Sequence, residues 1–524
     1  MRMNLKKEES LSKMQKRLGN SLINIIIASL ITLVILSGCV QPAPGSRPWL
    51  LNSNAETPDT LSNPGGIALP TLRPQDYIFR TPTPDAPKVL PTLRTNEEQY
   101  VIQPGDYLSL IAGRYNLDVS TLINANPHVN PNWIEIGQVI TIPAPSPSAS
   151  PSSFKIIPDS ELVYGPMSST LDTESFLQRQ KGYLASYTEA VDERTMSGGA
   201  IVQRVAYEYS VNPRLLLALL EWRSGWVTRS SPSQSSRDYP MGLNDVNRKG
   251  LYRQLAWAAN QLNSGYYAWK DNAISYIVCN DGRLVMLSPT VNAGTVGVQV
   301  LLASLLDLKG WQYSVSENGL YSVYSSLFVI PFDLGIEPLL PADLSQPQLL
   351  LPFEEGSAWS FTGGPHAGWG SGSPWAAVDF APPGTAFGCF SSDAWVTAAA
   401  DGLILHAKDG EVVQDLDGDG LEQTGWTLVY MHIETRDRVF AGTYLKAGDR
   451  IGHASCEGGV SNGTHVHFAR RYNGEWIPAV GSIPLVLSGW QVTSTGGEYE
   501  GTLVRNGATV YSWDGRTNDN QIAH

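Results

Sequence analysis

Asn462-Gly-Thr-His465-Val-His467-Phe468 is the stretch that decides how this chain is read. Val466 and Phe468 around the second histidine predict a strand, and residues two apart on a strand point to the same face. Two imidazoles would then converge on one point beside a sheet, as a metal site requires. A lone His-x-His is weak by itself and gains weight only from partners. The 524 residues hold eight histidines, and His366, His406, His432, His453, His465 and His467 all fall between residues 350 and 480. Surface histidines would scatter more evenly, so this density asks for metal or acid–base chemistry.

The partners are upstream. Trp375-Ala-Ala-Val-Asp379-Phe380 reads as a strand ending in a carboxylate, and Gly363-Gly-Pro-His366 as a glycine-rich turn that places a histidine just before it. Thr427-Leu-Val-Tyr-Met-His432-Ile alternates, which predicts His432 on the face of Tyr430 and Leu428. Together these motifs resemble the M23 (LytM or β-lytic) family of zinc endopeptidases, whose pattern is a His and an Asp, a Tyr-x-His strand and a terminal His-x-His. The first pair, His366-x12-Asp379, has the longer spacing of the β-lytic or staphylolytic subgroup. The resemblance runs roughly from Pro352 to Ser488. It implies a mostly antiparallel β domain over 350–488, zinc ligands His366, Asp379 and His467, and a catalytic pair, His432 and His465.

Two imidazoles and one carboxylate would leave tetrahedral zinc an open position, the arrangement of a hydrolytic centre. Bound zinc lowers the pKa of water from ~15.7 to about 7 and polarises a scissile carbonyl. No glutamate of the His-Glu-x-x-His kind stands nearby as a base. The unligated imidazoles, with an ordinary pKa of ~6.5, are then the natural proton acceptors. His465 is expected to deprotonate the water and His432 to steady the tetrahedral intermediate, with the two roles open to exchange. His406 and His453 are expected to be strand or loop residues without a metal role.

Asp415-Leu-Asp417-Gly-Asp419-Gly-Leu-Glu422 begins like a calcium loop, yet residue 426, where an EF-hand places its bidentate Glu, is Trp. A partial Ca2+ site at Asp415, Asp417 and Asp419 and a polar hairpin turn are both open readings. Cys389 and Cys456 are expected to pair, because disulfides persist outside the cytoplasm. Closing that loop would stabilise the fold by roughly 4 kcal/mol and anchor the segment before His465. Cys279 is left unpaired, and four cysteines in this length exclude a disulfide scaffold.

The compartment follows from the first forty residues. A basic leader (Arg2, Lys6, Lys7, Lys13, Lys16, Arg17) precedes an uncharged, Ile/Leu-rich run from Ser21 to Ile35, then Leu36-Ser37-Gly38-Cys39. That is an export signal, and its apolar run is short for a membrane span. Its ending resembles the lipobox of bacterial lipoproteins, which implies a signal peptide over 1–38, lipidation of Cys39 and a mature chain held at the membrane facing the cell wall. Residues 39–98, rich in Pro and Thr, read as a stalk, and 145–155 as a second linker.

Residues 99–144 read strand, helix, helix, strand. Pro-Gly-Asp-Tyr-Leu at 104–108, Asn124-Ala-Asn-Pro127 and Gly137-Gln-Val-Ile-Thr-Ile-Pro143 resemble a LysM module, a βααβ unit that binds N-acetylglucosamine polymers. The resemblance implies a groove at Gly105, Asp106, Tyr107, Asn124 and Asn126. Residues 156–345 read as helical: an apolar stripe at Ile201, Val202, Val205, Ala206 and Tyr209, Asn212-Pro213 opening a helix through Trp222, and helices at 251–263 and 295–307. The phrase from Val211 to Gly225 is weakly similar to the catalytic region of lysozyme-like lytic transglycosylases, but Arg223 stands where that family has its glutamate. Glu221 lies on a different face. Residues 489–524 alternate like strands and carry no evident chemistry.

The expected fold class is therefore multidomain: a small βααβ LysM module, a helical lysozyme-like middle domain and a mostly antiparallel β peptidase domain. Hydrophobic residues make up 42% of the chain, enough for packed cores, and its net charge of −13 argues against a nucleic-acid partner. The leading expectation is a zinc endopeptidase acting on bacterial peptidoglycan, with glycan chains and peptide stems or cross-bridges as partners. The alternatives are a non-catalytic LytM-type regulator of other wall hydrolases and a glycosidase acting through the middle domain.

Overall fold

The computed structural model describes residues 88–524, apart from 116 and 193. The leader, Cys39 and the stalk up to residue 87 lie outside the described residues. No helix among the described residues is long and apolar enough to cross a membrane.

The first module pairs β1 (Glu98–Val101) with β2 (Val139–Ile142), antiparallel, Glu98 opposite Ile142. Between them run α1 (Leu108–Arg114) and α2 (Val119–Ala125), the second started by Asp118, whose carboxylate accepts from Ser120 N. Ile111, Leu122, Ile140 and Ile142 close its small core.

The helical region is built around α3 (Gly198–Tyr209), α4 (Pro213–Ser224), α5 (Leu251–Lys270) and α6 (Ala293–Leu305). Asn212 caps α4 through Arg214 N with Pro213 in its first turn, and Gly225 ends it at φ 67°. α5 runs seven residues beyond its expected end, because Tyr266, Tyr267 and Trp269 continue its buried face. It crosses α6 closely at Gly265, where a Cβ would come within 2.9 Å of Gly297 Cα.

In the third region, nine strands among the described residues form one antiparallel sheet. They are β3 (Trp359–His366), β4 (Ala377–Ala381), β5 (Gly402–Lys408), β6 (Glu411–Asp415), β7 (Trp426–Met431), β8 (Tyr444–Leu445), β9 (Val466–Tyr472), β10 (Glu475–Trp476) and, from the far C-terminus, β14 (Gln521–Ile522). The order across the sheet is β8-β5-β6-β7-β9-β4-β3-β14, with β10 paired to β9. A smaller four-stranded sheet, a short strand at Val486–Leu487 followed by β11 (Trp490–Ser494), β12 (Gly501–Arg505) and β13 (Ala508–Tyr511), makes up most of the C-terminal extension.

Both faces of the main sheet are buried, and side-chain alternation assigns each residue to one core or the other. Leu428, Tyr430, Val466 and Phe468 enter a core that the β region makes for itself. Val429, Met431, Ala469 and Ala377 belong to the helical region's core. Polar bonds fix the same seam: Tyr266 and Lys270 hold the Glu475 carboxylate, and Arg471 donates to Tyr207 O over 3.2 Å. Gly372 N donates to Asn260 Oδ1 over 2.9 Å, so the loop that follows His366 rests on α5.

Candidate metal centre

Register brings the ligand candidates together. β4 lies between β3 and β9, with Asp379 opposite both Gly363 and His467. Gly363 permits the approach: a Cβ there would sit 2.5 Å from Asp379 Oδ2. The segment expected as a glycine-rich turn is instead the end of β3, with two register shifts between Phe361 and His366 that re-aim the histidine.

One ligating atom each from His366, Asp379 and His467 lies within 4.8 Å of the others, and all three residues are buried. His366 Nδ1 is 2.8 Å from Gly364 O, and His467 Nε2 is 3.2 Å from Gly368 O. A carbonyl only accepts, so both nitrogens carry the proton. The opposite nitrogens, His366 Nε2 and His467 Nδ1, then face each other across 3.0 Å with lone pairs. Asp379 Oδ1 lies 3.3 Å from the first and 3.4 Å from the second, yet forms no hydrogen bond. Three lone-pair donors aimed at one buried point, with backbone carbonyls fixing both tautomers, fit a divalent cation such as zinc.

His432 and His465 stand beside this group, their ring centroids 4.5 Å apart, with His465 Nε2 at 3.6 Å from Asp379 Oδ1. His465 Nδ1 donates to Gly463 O over 2.7 Å, and His432 Nδ1 is 3.1 Å from Glu457 O. The expectation that His432 shares Tyr430's face is corrected. Tyr430 is in the core, its hydroxyl bonded to Gln414 Oε1 and Ala399 N. His432 follows the last residue of β7 with φ 63°, and that left-handed turn breaks the alternation and swings its ring to His465.

Electrostatics follow the geometry. Burial opposes ionisation of Asp379, but His366 and His465 outweigh it and hold the carboxyl well below the usual range. Burial works against the His366 imidazolium, while Asp379 beside it raises the pKa overall. His432 is pushed well below the ordinary histidine value, by burial first and then by His465 and His467. Burial also lowers His467.

A cleft of about 440 Å³ opens onto Asp379 and His465. Phe387 lines it, as do Tyr499, Asp514 and Arg516 from the C-terminal extension. Sequence reasoning assigned that extension no chemistry. Its only local signal was a Gly-Gly-Glu-Tyr turn between two alternating stretches, and the Tyr499 ring of that turn meets His366 across more than a hundred residues of chain. Cys389 and Cys456 are bonded, with Cα atoms 5.8 Å apart, and tie the Phe387 loop to the segment before His465. Cys279 is free and buried.

The remaining candidates fall elsewhere. His406 lies 3.4 Å from Glu422 and stacks on Tyr207, and His453 packs against Trp395 with the rings tilted by 42°. The Asp415, Asp417 and Asp419 carboxylates also come within 4.8 Å of one another, but Asp415 accepts from the backbone of Asp417, Gly418 and Gly420. This is a hairpin turn capped by its own carboxylate, and no calcium is assigned to it. In the N-terminal module Gly105, Tyr107 and Asn124 are exposed. Asp106 and Asn126, expected on the groove, are turned inward instead. Asp106 accepts from Tyr100, Gln103 N and Arg114, and Asn126 binds Leu122 O and both backbone groups of Thr141. Glu221 of α4 accepts from Val227 N, Thr228 N and the Thr228 hydroxyl, closing the loop after the helix.

Known proteins match this division. Residues 100–143 match the LysM domain, 155–339 the LasA N-terminal domain, and 378–478 peptidase family M23. The second match spans the helical region. Protease LasA of Pseudomonas aeruginosa is 24% identical over 349 residues, covering 63% of this chain and 77% of its own. The beta-lytic metalloendopeptidase of Lysobacter enzymogenes is 29% identical over 154 residues, 29% of this chain and 83% of its own. Among solved structures, the M23 metalloprotease pseudoalterin from the deep sea is 24% identical, covers 32% of this chain and 96% of its own, and has a TM-score of 0.27.

Proposed function

We propose that the chain is a zinc-dependent endopeptidase that hydrolyses peptide bonds in bacterial peptidoglycan, targeted by its LysM module and tethered by lipid at Cys39. The observation that carries this reading is the convergence of the two bare imidazole nitrogens and the unbonded Asp379 oxygen, within a segment that matches M23 peptidases. His366, Asp379 and His467 would hold the ion. When bound, zinc supplies a Lewis acid that polarises a carbonyl and acidifies water.

The chain's own residues manage the protons. His465 lines the cleft, and with Nδ1–H donated to Gly463 O it presents a basic Nε2. It takes the proton of the attacking water and returns it to the leaving amine. Glu457 O beside His432 Nδ1 favours the same tautomer there, and burial keeps that ring neutral. His432 therefore stands as a second, neutral proton acceptor beside His465. A linked glycan-binding module raises the local concentration of substrate without adding chemistry.

The test is zinc analysis of the purified protein, together with mass spectrometry of a peptidoglycan digest. New amino termini that vanish on chelation are expected. Reducing or anhydro-muramyl ends would instead mark a glycosidase, and an intact wall with no zinc in the protein would mark a regulator; either result overturns the proposal.

A further inference from the structure

A second cleft, of about 510 Å³, lies on the seam between α5 and the β region. Trp375 lines it, a large ring left 37% exposed, in a largely apolar wall that also holds Val480 and three prolines and is interrupted by polar groups. Around it stand the hydroxyls of Ser264, Ser371 and Ser494 and the carboxylate of Asp271, and no lysine, arginine or histidine is among the lining residues.

This cleft adjoins the metal centre. Pro365 lines it, and the next residue is His366. Ser494 ends β11, and the turn that follows carries Tyr499, which lines the first cleft. Tyr499 N donates to Pro365 O over 3.0 Å, so one backbone bond joins the walls of the two clefts.

We propose that the seam cleft is a glycan subsite, taking N-acetylated sugar units of the strand whose attached peptide enters the metal centre. A pyranose has a flat C–H face that packs on an indole, and a rim of hydroxyl and amide groups that needs neutral donors and acceptors. The lining offers both. The absence of a cation disfavours the other part of such a substrate, a peptide stem with free carboxylates. The volume falls within the ~300–1,000 Å³ of ligand pockets and suits a short run of sugar rings. The identity of the strand rests on the proposed function; the affinity for sugar does not.

The experiment uses the full chain and an uncharged tetrasaccharide of N-acetylglucosamine. Calorimetry of Trp375→Ala should show one binding equivalent fewer than the wild type, and Trp375→Phe should restore it. On a disaccharide-linked peptide, Trp375→Ala should raise KM by about three- to tenfold, the worth of one aromatic stacking contact, at unchanged kcat. KM for the same peptide without sugar should not move. Equal stoichiometry in the wild type and Trp375→Ala would overturn the subsite, and so would an equal rise in KM for the sugar-free peptide, which would make the peptide the occupant. Should Trp375→Ala fail to fold, Trp375→Leu, which keeps an apolar side chain without the ring, carries the same comparison. Sugar binding lost with Trp375 in a protein that cuts no peptide bond keeps the subsite and defeats the proposed function. Cleavage without a Trp375-dependent sugar site does the reverse.

Discussion

The Tyr499 ring lies flat against the His366 imidazole, with centroids 4.3 Å apart and planes 17° from parallel. Backbone bonds from Gly364 N to Tyr499 O and from Tyr499 N to Pro365 O clamp the two segments, so the C-terminal extension fixes the orientation of a ligand candidate. Groups that orient a ligand change metal affinity when removed, commonly by about 10–100-fold. Tyr499→Ala is expected to weaken zinc binding by that amount, read by chelator competition. Wild-type affinity in the variant would reduce the stack to a passive contact.

Removing a proposed ligand should act more severely. His467→Ala or Asp379→Ala is expected to purify without stoichiometric zinc and to lose at least ~10³-fold in peptide cleavage, on the scale set by losing a whole catalytic element. Retained cleavage at the wild-type rate in either protein would end the assignment.

The Cys389–Cys456 bond closes a loop with a sequence separation of 67 and braces one wall of the cleft that opens onto Asp379 and His465. Chain-entropy arguments put its contribution at about 4 kcal/mol. The double Cys→Ala variant should therefore melt several degrees lower, with KM affected more than kcat because Phe387 of the cleft wall belongs to the tethered loop. Calorimetry and steady-state kinetics read the two effects; an unchanged melting temperature would show that the bond is not bracing the loop.

In the helical region Glu161 is fully buried, and burial raises its pKa to about 7 from 4.5 despite Arg214, Tyr324 and Asn212 around it. A folded pKa above the unfolded one means that the native state holds its proton longer. The associated stability is present below pH 4.5 and is lost as pH rises through 7, on the order of 3 kcal/mol in all. Glu161→Gln should remove that slope, leaving the variant the more stable protein at pH 8. Parallel melting curves for both proteins between pH 4.5 and 8 would exclude the coupling.

Much of the architecture was legible because its signals are local. The strand–helix–helix–strand order of the first module, the Asn212-Pro213 start of α4 and the alternation in β7 each depend on neighbours within a few residues, where sterics and capping act. The identities of His366, Asp379, His432, His465 and His467 were readable as a pattern of types and spacings. The path of the chain at two of them was not. Gly363-Gly-Pro365 looks like a turn but is bulged strand, and His432 leaves the alternation through a left-handed residue that strand periodicity does not foresee. Asp106 and Asn126 misled for a related reason: a polar side chain in a loop reads the same whether it faces solvent or ties the loop to its own core.

Sequence by itself determined which residue types could meet a cation and which segments would become strands and helices, since backbone preference and side-chain chemistry are carried by each stretch alone. Tertiary structure alone decided that Tyr499 covers His366, that α5 supports the loop beyond it, and that carbonyls of Gly364 and Gly368 fix which imidazole nitrogens are bare. Those relations join segments that lie far apart along the chain or depend on exact ring orientation. They arise only when sheet register and the packing of both sheet faces are satisfied together, and no short window of residues encodes that condition.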